Sequence, residues 1–256
     1  MSMEPEQPAS EGTPSTAAPE KSNPFGRLIG VLFSPDETFA SIARRPDWVV
    51  PLLLFMALAL FGGWVFSHHV DFLTTARAQM EAQGRLTPEQ IDRGLKFNAV
   101  LFKVISYLAP IVSVVIFTIV ASIMMLAFRM MGGEGEFRQY FSVTLYAWVP
   151  QILQGLIIEG ILLTRSVAAG AETLPTLLKS NLAFLVDMKE HAVLFSVLSS
   201  LDVFTIWSVI LMAIGFAYVS RLSKGKSAGI VIVVWGFWVL LKTGGAALGS
   251  LMRARK

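Results

Sequence analysis

Apolar residues run through this chain in long blocks, and charged residues collect in the stretches between them. A hydrocarbon core of about 30 Å takes roughly 20 helical residues to cross, so blocks of that length read as membrane spans. They predict crossings at about 49–66, 107–128, 141–164, 196–220 and 228–249. The fold class expected is therefore all-α: a polytopic helical membrane protein with about five transmembrane helices. Trp48 stands where an interfacial anchor belongs at the start of the first span. The block 97–128 is longer than one crossing needs; Lys103 places its lipid-facing part at 107–128, and Pro110 is a candidate kink.

Between and before the blocks, capping patterns mark shorter helices. Residues 1–23 are rich in Pro, Glu, Ser, Thr and Ala and poor in large apolar residues, so a disordered tail is expected. A basic start and an apolar h-region are both missing there, which argues against a signal peptide. Residues 24–46 read as two small surface helices divided at Ser34-Pro35-Asp36-Glu37, where Ser34 and Glu37 have the spacing of a capping box and Pro35 suits the first turn. Phe25, Leu28, Leu32, Phe39 and Ile42 give these helices apolar faces for the membrane surface or for the spans. Thr87-Pro88-Glu89-Gln90 repeats the box and predicts a helix leading towards the second span. Gly132-Gly133-Glu134-Gly135 reads as a turn between spans, since neither a strand nor a Lys-Ser/Thr pair accompanies it.

Composition agrees with the pattern. Of 256 residues, 54% are hydrophobic and 15% charged, against about 25% charged in soluble domains. The mean hydropathy is +0.61. Cysteine is absent, which excludes disulfides, thiolate nucleophiles and Cys-based metal sites. The net charge of +3 comes from scattered Lys and Arg that suit anionic lipid headgroups, and no cluster is long enough for nucleic acid. Arg44, Arg45, Arg129, Arg138, Arg221, Lys224 and Lys226 all fall on the N-terminal side of a five-span chain, which predicts a cytoplasmic N-terminus; Arg253, Arg255 and Lys256 oppose that orientation.

Several segments together resemble the bacterial branch of the Yip (Ypt-interacting protein) domain family. These are Ser34-Pro35-x-Glu37-Thr38-Phe39 with Arg45-Pro46-x-Trp48 and Pro51; the Gly132–Gly135 turn with Phe137, Tyr146 and Pro150; and Leu201-Asp202-Val203-Phe204-x-x-Trp207 with Gly215 and Ser223-Lys224-Gly225-Lys226-Ser227. The resemblance implies five spans, a cytoplasmic N-terminus and a bacterial inner-membrane location. Eukaryotic relatives bind Rab-type GTPases in vesicle traffic, but nothing in these residues independently marks a GTPase-binding surface.

Charged groups inside spans are costly and mark polar pathways or internal pairs. Glu159, Asp202 and Lys242 are the three that stand out, and connectivity puts them at similar depth near the outer side. A shared polar cluster is expected, with Lys242 paired to Asp202 or Glu159. Thr144, Gln151 and Gly155 fall on one helical stripe flanked by Gln154 and Glu159, a face for hydrogen bonds across the bundle. Gly245 and Gly249 form a small-xxx-small pair for close helix contact. His68, His69, Asp71 and His191 are not expected to build a zinc site, and no cofactor is implied. HExxH, G-x-S-x-G and P-loop motifs are absent. The reading is a non-enzymatic membrane scaffold, partner-binding or membrane-organising protein, alone or as a homo-oligomer. The alternative is a small transporter or channel component built on Glu159, Asp202 and Lys242.

Overall fold

Five helices long and apolar enough to cross a membrane organise the computed structural model, which describes residues 23–82, 86–164, 167–168, 176–188 and 190–254. Except for Asn23, the expected tail lies outside the described residues. The chain begins with α1 (Pro24–Phe33) and α2 (Pro35–Arg44). It continues through α3 (Val49–His69), α4 (Phe72–Ala82) and α5 (Pro88–Met130). After these come α6 (Phe137–Ala147), α7 (Val149–Thr164), α8 (Ala192–Leu198), α9 (Val203–Ser220) and α10 (Lys224–Ala254). A two-residue parallel ladder pairs Val70 with Val167 and Asp71 with Ala168.

The N-terminal helices are built into the bundle. The Asn23 side chain accepts the Gly26 amide, and Pro24 opens the first turn of α1. Leu28 and Val31 of α1, with Phe39 and Ile42 of α2, are buried in the main core beside Phe128, Tyr140, Tyr146 and Phe216. Phe25, Ile29 and Phe33 stay exposed on the other side of α1. The inner face thus packs against the spans, and the outer face is left exposed. Gly30 lets α1 approach α2: a Cβ there would come within 2.5 Å of the Thr38 hydroxyl oxygen.

The Ser34–Glu37 capping box does not form. Ser34 terminates α1 through its own amide, which donates to Gly30 O at 2.7 Å. Its backbone (φ −138°, ψ 62°) leaves the hydroxyl without a cap bond to α2, while the Thr38 hydroxyl donates back to Ser34 O at 2.9 Å. One residue serving two helices cannot take the geometry of a free N-cap. At Thr87 no helix precedes, and the full box is present: the Gln90 amide donates to the Thr87 hydroxyl, and Gln90 Oε1 accepts the Thr87 amide.

α5 is a single helix of 43 residues, about 64 Å at 1.5 Å per residue and so twice what the hydrocarbon requires. Its first turns pack with α4 through Ala76, Ile91 and Leu95, and Arg77 pairs with Asp92 at 3.1 Å. It runs through Pro110 without ending. Proline has no amide for the carbonyl four residues earlier, here Ser106. That backbone oxygen is the atom closest to Gly63 of α3, and a Cβ at Gly63 would collide with it. The proline therefore exposes a polar atom, and the glycine lets the neighbouring backbone cover it.

Two of the expected spans are interrupted. The third divides at Trp148 into α6 and α7, because Pro150 cannot supply the amide that would continue the ladder to Tyr146. The predicted stripe from Thr144 to Gln151 is therefore split between two helices. In the fourth, α8 stops at Leu198 and α9 starts after Asp202. Asp202 is thus the N-cap of α9, not a residue a few turns inside a continuous span.

At the bundle end that carries α1 and α2, the loops lock together. Gly132 (φ 82°) and Gly135 (φ 102°) take left-handed conformations that suit glycine in a tight turn. The turn is pinned to the end of α9, since the Glu134 amide donates to Ser220 O at 3.0 Å and Glu134 pairs with Arg221 at 3.0 Å. Gln139 reaches back to Ala43 O at 2.7 Å. Gly215 of α9 allows the close approach of α2 and α6, where a Cβ would meet Phe39 and Val143.

Candidate functional site

At the bundle end opposite α1 and α2, the break between α8 and α9 gathers polar side chains around a cavity of about 440 Å³. Asp202, Lys242 and Gln154 line it together with Ser196, Ser199 and Thr205. Ile158, Leu178, Phe195 and Ala246 give it an apolar wall.

Asp202 is 3% exposed and fully engaged. Its Oδ1 accepts the Phe204 and Thr205 amides at 2.9 and 3.3 Å. Its Oδ2 accepts the Ser180 hydroxyl and Gln154 Nε2, the latter at 3.0 Å. A carboxylate offers about four lone-pair positions, and all four have donors. The start of α9 also presents the positive end of a helix dipole to it. Two loops and α7 thus converge on one capping group.

Lys242 takes other partners. Its ammonium donates to Ser199 Oγ at 2.8 Å and Ser200 Oγ at 3.0 Å. Among the described residues, no ion pair within 4.0 Å joins Lys242 to Asp202 or to Glu159. The expected pairing is corrected accordingly: the hydrogen-bonding positions of Asp202 are filled by four neutral donors, and the ammonium is left with hydroxyls. The structure does place Asp202 and Lys242 on the walls of one cavity.

Glu159 lies elsewhere. Its carboxyl rests on Gly62 of α3, where a Cβ would collide with Oε1, and its buried Oε2 has no hydrogen-bond partner. It serves the α3–α7 contact and is not among the residues lining the cavity. Of the other candidates, Gln151 donates across the bundle to the Thr205 hydroxyl at 3.3 Å, and Gln154 joins Asp202 as described. The buried Thr144 hydroxyl closes on its own helix, donating to Tyr140 O at 2.9 Å. Among the described residues, a Cβ at Gly245 would meet nothing within 4 Å. Close small-residue contacts do occur at Gly62 and Gly63 of α3, an adjacent pair that a small-xxx-small spacing does not pick out. Ser180, Ser196, Ser199 and Ser200 were also missed. The Ser199-Ser200-x-Asp202 run was their visible signal, since Ser and Asp favour helix ends.

The opposite end holds a second polar cluster. Arg27 Nη1 donates to Asp47 Oδ1 at 2.6 Å and to Arg45 O at 2.9 Å, and its Nη2 donates to Ser41 Oγ at 2.6 Å. Tyr146 donates its hydroxyl to Asp47 Oδ2 at 3.0 Å. Nearby, Asp36 accepts from Lys224 and, at 2.9 Å, from the Tyr218 hydroxyl. The Lys224 bond foremost, then the Tyr218 bond, holds the Asp36 carboxyl below the usual carboxylate range.

Comparison with known proteins adds a lineage to this geometry. The chain is 27% identical over 230 residues to "Membrane protein YknW" of Bacillus subtilis (strain 168), an alignment that covers 89% of this chain and 93% of that relative. No solved structure matches. The model of the Yip1 domain matches residues 29–244, a stretch that takes in α2 through α9, half of α1 and most of α10. The five apolar helices and this match over most of the length agree, and the chain belongs to the Yip1 domain family.

Proposed function

We propose that this chain is a non-enzymatic, membrane-organising scaffold of the bacterial inner membrane, with its N-terminal helices on the cytoplasmic side. The observation that carries the reading is the two-faced α1. Its inner face is locked into the core through Leu28 and Val31, while Phe25, Ile29 and Phe33 form an exposed apolar edge. Around the same end, Arg44, Arg45, Arg138, Arg221, Lys224 and Lys226 are exposed. An apolar edge with basic side chains nearby suits insertion at an anionic headgroup boundary. Because α1 is anchored to the spans, force applied by its insertion passes to the bundle. The non-enzymatic part of the reading rests on the engagement of Asp202, Gln151 and Gln154 in helix-to-helix bonds.

The test is reconstitution into anionic vesicles, with vesicle shape followed by electron microscopy and solute flux by fluorescence. The scaffold reading expects remodelled vesicles without flux, and loss of remodelling when Phe25, Ile29 and Phe33 are all changed to Ser. Flux abolished by Asp202→Asn, with vesicle shape unaffected, would overturn it in favour of a transporter. Recovery from mild detergent, with co-purifying proteins identified by mass, then tells protein partners from self-association.

A further inference from the structure

We propose that the cavity between α7, α8, α9 and α10 binds the phosphodiester of a membrane phospholipid, held by Lys242 with Ser196. The proposal goes beyond the scaffold reading and stands independently of it. It begins with charge bookkeeping inside the apolar part of the protein. Both charged groups line one cavity, but only one of them has all its hydrogen-bonding positions filled. Asp202 has two backbone amides, a serine hydroxyl and a carboxamide as donors. Lys242 has two serine hydroxyls and, among the described residues, no carboxylate within 4.0 Å. An ammonium carries three donors, so one remains for a ligand. The charged group with a hydrogen-bonding position to give to the cavity is the ammonium, and an ammonium in an apolar setting calls for an anionic partner.

A second observation comes from the wall of the same cavity. Ser196 lines the cavity, is 5% exposed, and has a buried hydroxyl with no hydrogen-bond partner. Buried hydroxyls are ordinarily bonded, so this one has a donor to give. Ammonium and hydroxyl donors lining one cavity fit a group rich in acceptor oxygens, which is the chemistry of phosphate. The volume of about 440 Å³ falls within the few-hundred to 1,000 Å³ typical of small-ligand sites.

Access favours a lipid as the source. Lys242 is itself exposed, and so are its α10 neighbours Trp238, Leu241 and Leu248. Ile158, Leu178 and Phe195 continue the apolar surface into the cavity. By helix geometry Lys242 lies about 21 Å along α10 from residue 228, so roughly 9 Å inside the far edge of a 30 Å hydrocarbon core. A headgroup at that depth needs a polar recess, and the break between α8 and α9 supplies one. Free inorganic phosphate shares the oxygen chemistry, but it gains nothing from the apolar walls.

The experiment uses the full chain in mild detergent, read by native mass spectrometry. Three probes are compared: phosphatidylglycerol, a diacylglycerol of the same acyl chains, and inorganic phosphate as competitor. The expected result is one phosphatidylglycerol retained in preference to diacylglycerol. Lys242→Met should weaken retention about tenfold, as expected for a lost charged hydrogen bond, and Lys242→Arg should preserve it. Ser196→Ala, which nearly keeps the side-chain volume, should weaken it by a smaller factor. Millimolar phosphate should not displace the lipid. Equal retention of diacylglycerol, or phosphatidylglycerol binding unchanged in both Lys242→Met and Ser196→Ala, would overturn the phosphate site. Displacement by inorganic phosphate would overturn the lipid as its source. Should Lys242→Met fail to fold, Ser196→Ala and Lys242→Arg carry the comparison.

Discussion

Arg27 and Asp47 meet at 2.6 Å across the twenty residues that separate α1 from the start of α3. The contact turns two short helices into part of the membrane bundle. Asp47 also accepts the Tyr146 hydroxyl, so the N-terminal helices, the first span and the third are tied at one carboxylate.

Removing one partner leaves the other charge partly buried without compensation, which costs about 3 kcal/mol. Asp47→Asn or Arg27→Met should each lower thermal stability in detergent by about that amount, and the double variant should lose less than the sum. Tyr146→Phe deletes one neutral hydroxyl donor and should cost about 1 kcal/mol. Full additivity of the Arg27 and Asp47 losses would mean that the pair does not act as a unit.

Acid should loosen the same end through Asp36. Its carboxyl is held below the ordinary value of 3.8, mainly by Lys224 and then by Tyr218. A depressed carboxyl stabilises the fold fully above its unfolded pKa and loses that contribution as pH falls through the folded value. The Asp36 contribution should therefore be constant from neutral pH down to about 4 and vanish below that. The effect is small because the pair is half exposed. Melting curves of the wild type and Asp36→Asn should differ at pH 6 and converge near pH 3; a constant difference across that range would remove Asp36 as the group responsible.

Glycine substitutions should separate close contacts from open positions. Gly63→Ala drives a methyl into the Ser106 carbonyl, which is backbone, whereas Gly62→Ala meets the end of the Glu159 side chain. Overpacking costs about 1–3 kcal/mol, with Gly63→Ala at the upper end and Gly62→Ala below it. Gly155→Ala and Gly160→Ala meet nothing within 4 Å and should be neutral or stabilising by up to about 1 kcal/mol, since alanine is the better helix former. Thermal unfolding of the four variants checks the order.

These contrasts show which features the sequence could display. The five apolar runs and the Thr87–Gln90 box depend on neighbours along the chain, so both could be read from the residues alone. The Gly62–Glu159 contact joins residues from different spans, and no local pattern announces it. Ser34 and Asp202 are instructive in opposite ways. Ser34 has the residues of a capping box, but the end of α1 claims its backbone. Asp202 looked like a charge in mid-span because the run from 196 to 220 is apolar enough for one helix. Its cap bonds go to the local amides of Phe204 and Thr205, but its other oxygen is filled by Ser180 and Gln154, which arrive from distant segments. Pro150 did carry a local signal for the break at Trp148, one outweighed by the hydrophobicity of the block.

The two boxes also give a paired test. Thr87→Ala should cost about 1 kcal/mol at the start of α5 and speed amide exchange at Gln90 and Ile91. Ser34→Ala removes no cap bond and should leave exchange across α2 unchanged. Faster exchange in α2 of the Ser34 variant would restore the capping role denied to it here.

The arrangement of the two bundle ends is the claim on which the rest depends, and the absence of cysteine from the chain makes it directly measurable. Single cysteines are introduced at the exposed positions Glu37, Lys226 and Glu89, and each is treated in intact cells with a thiol reagent that does not cross membranes. Glu37→Cys and Lys226→Cys should be protected until the cells are opened, while Glu89→Cys should react from outside. Labelling of Glu37→Cys and Glu89→Cys from the same side would contradict the account.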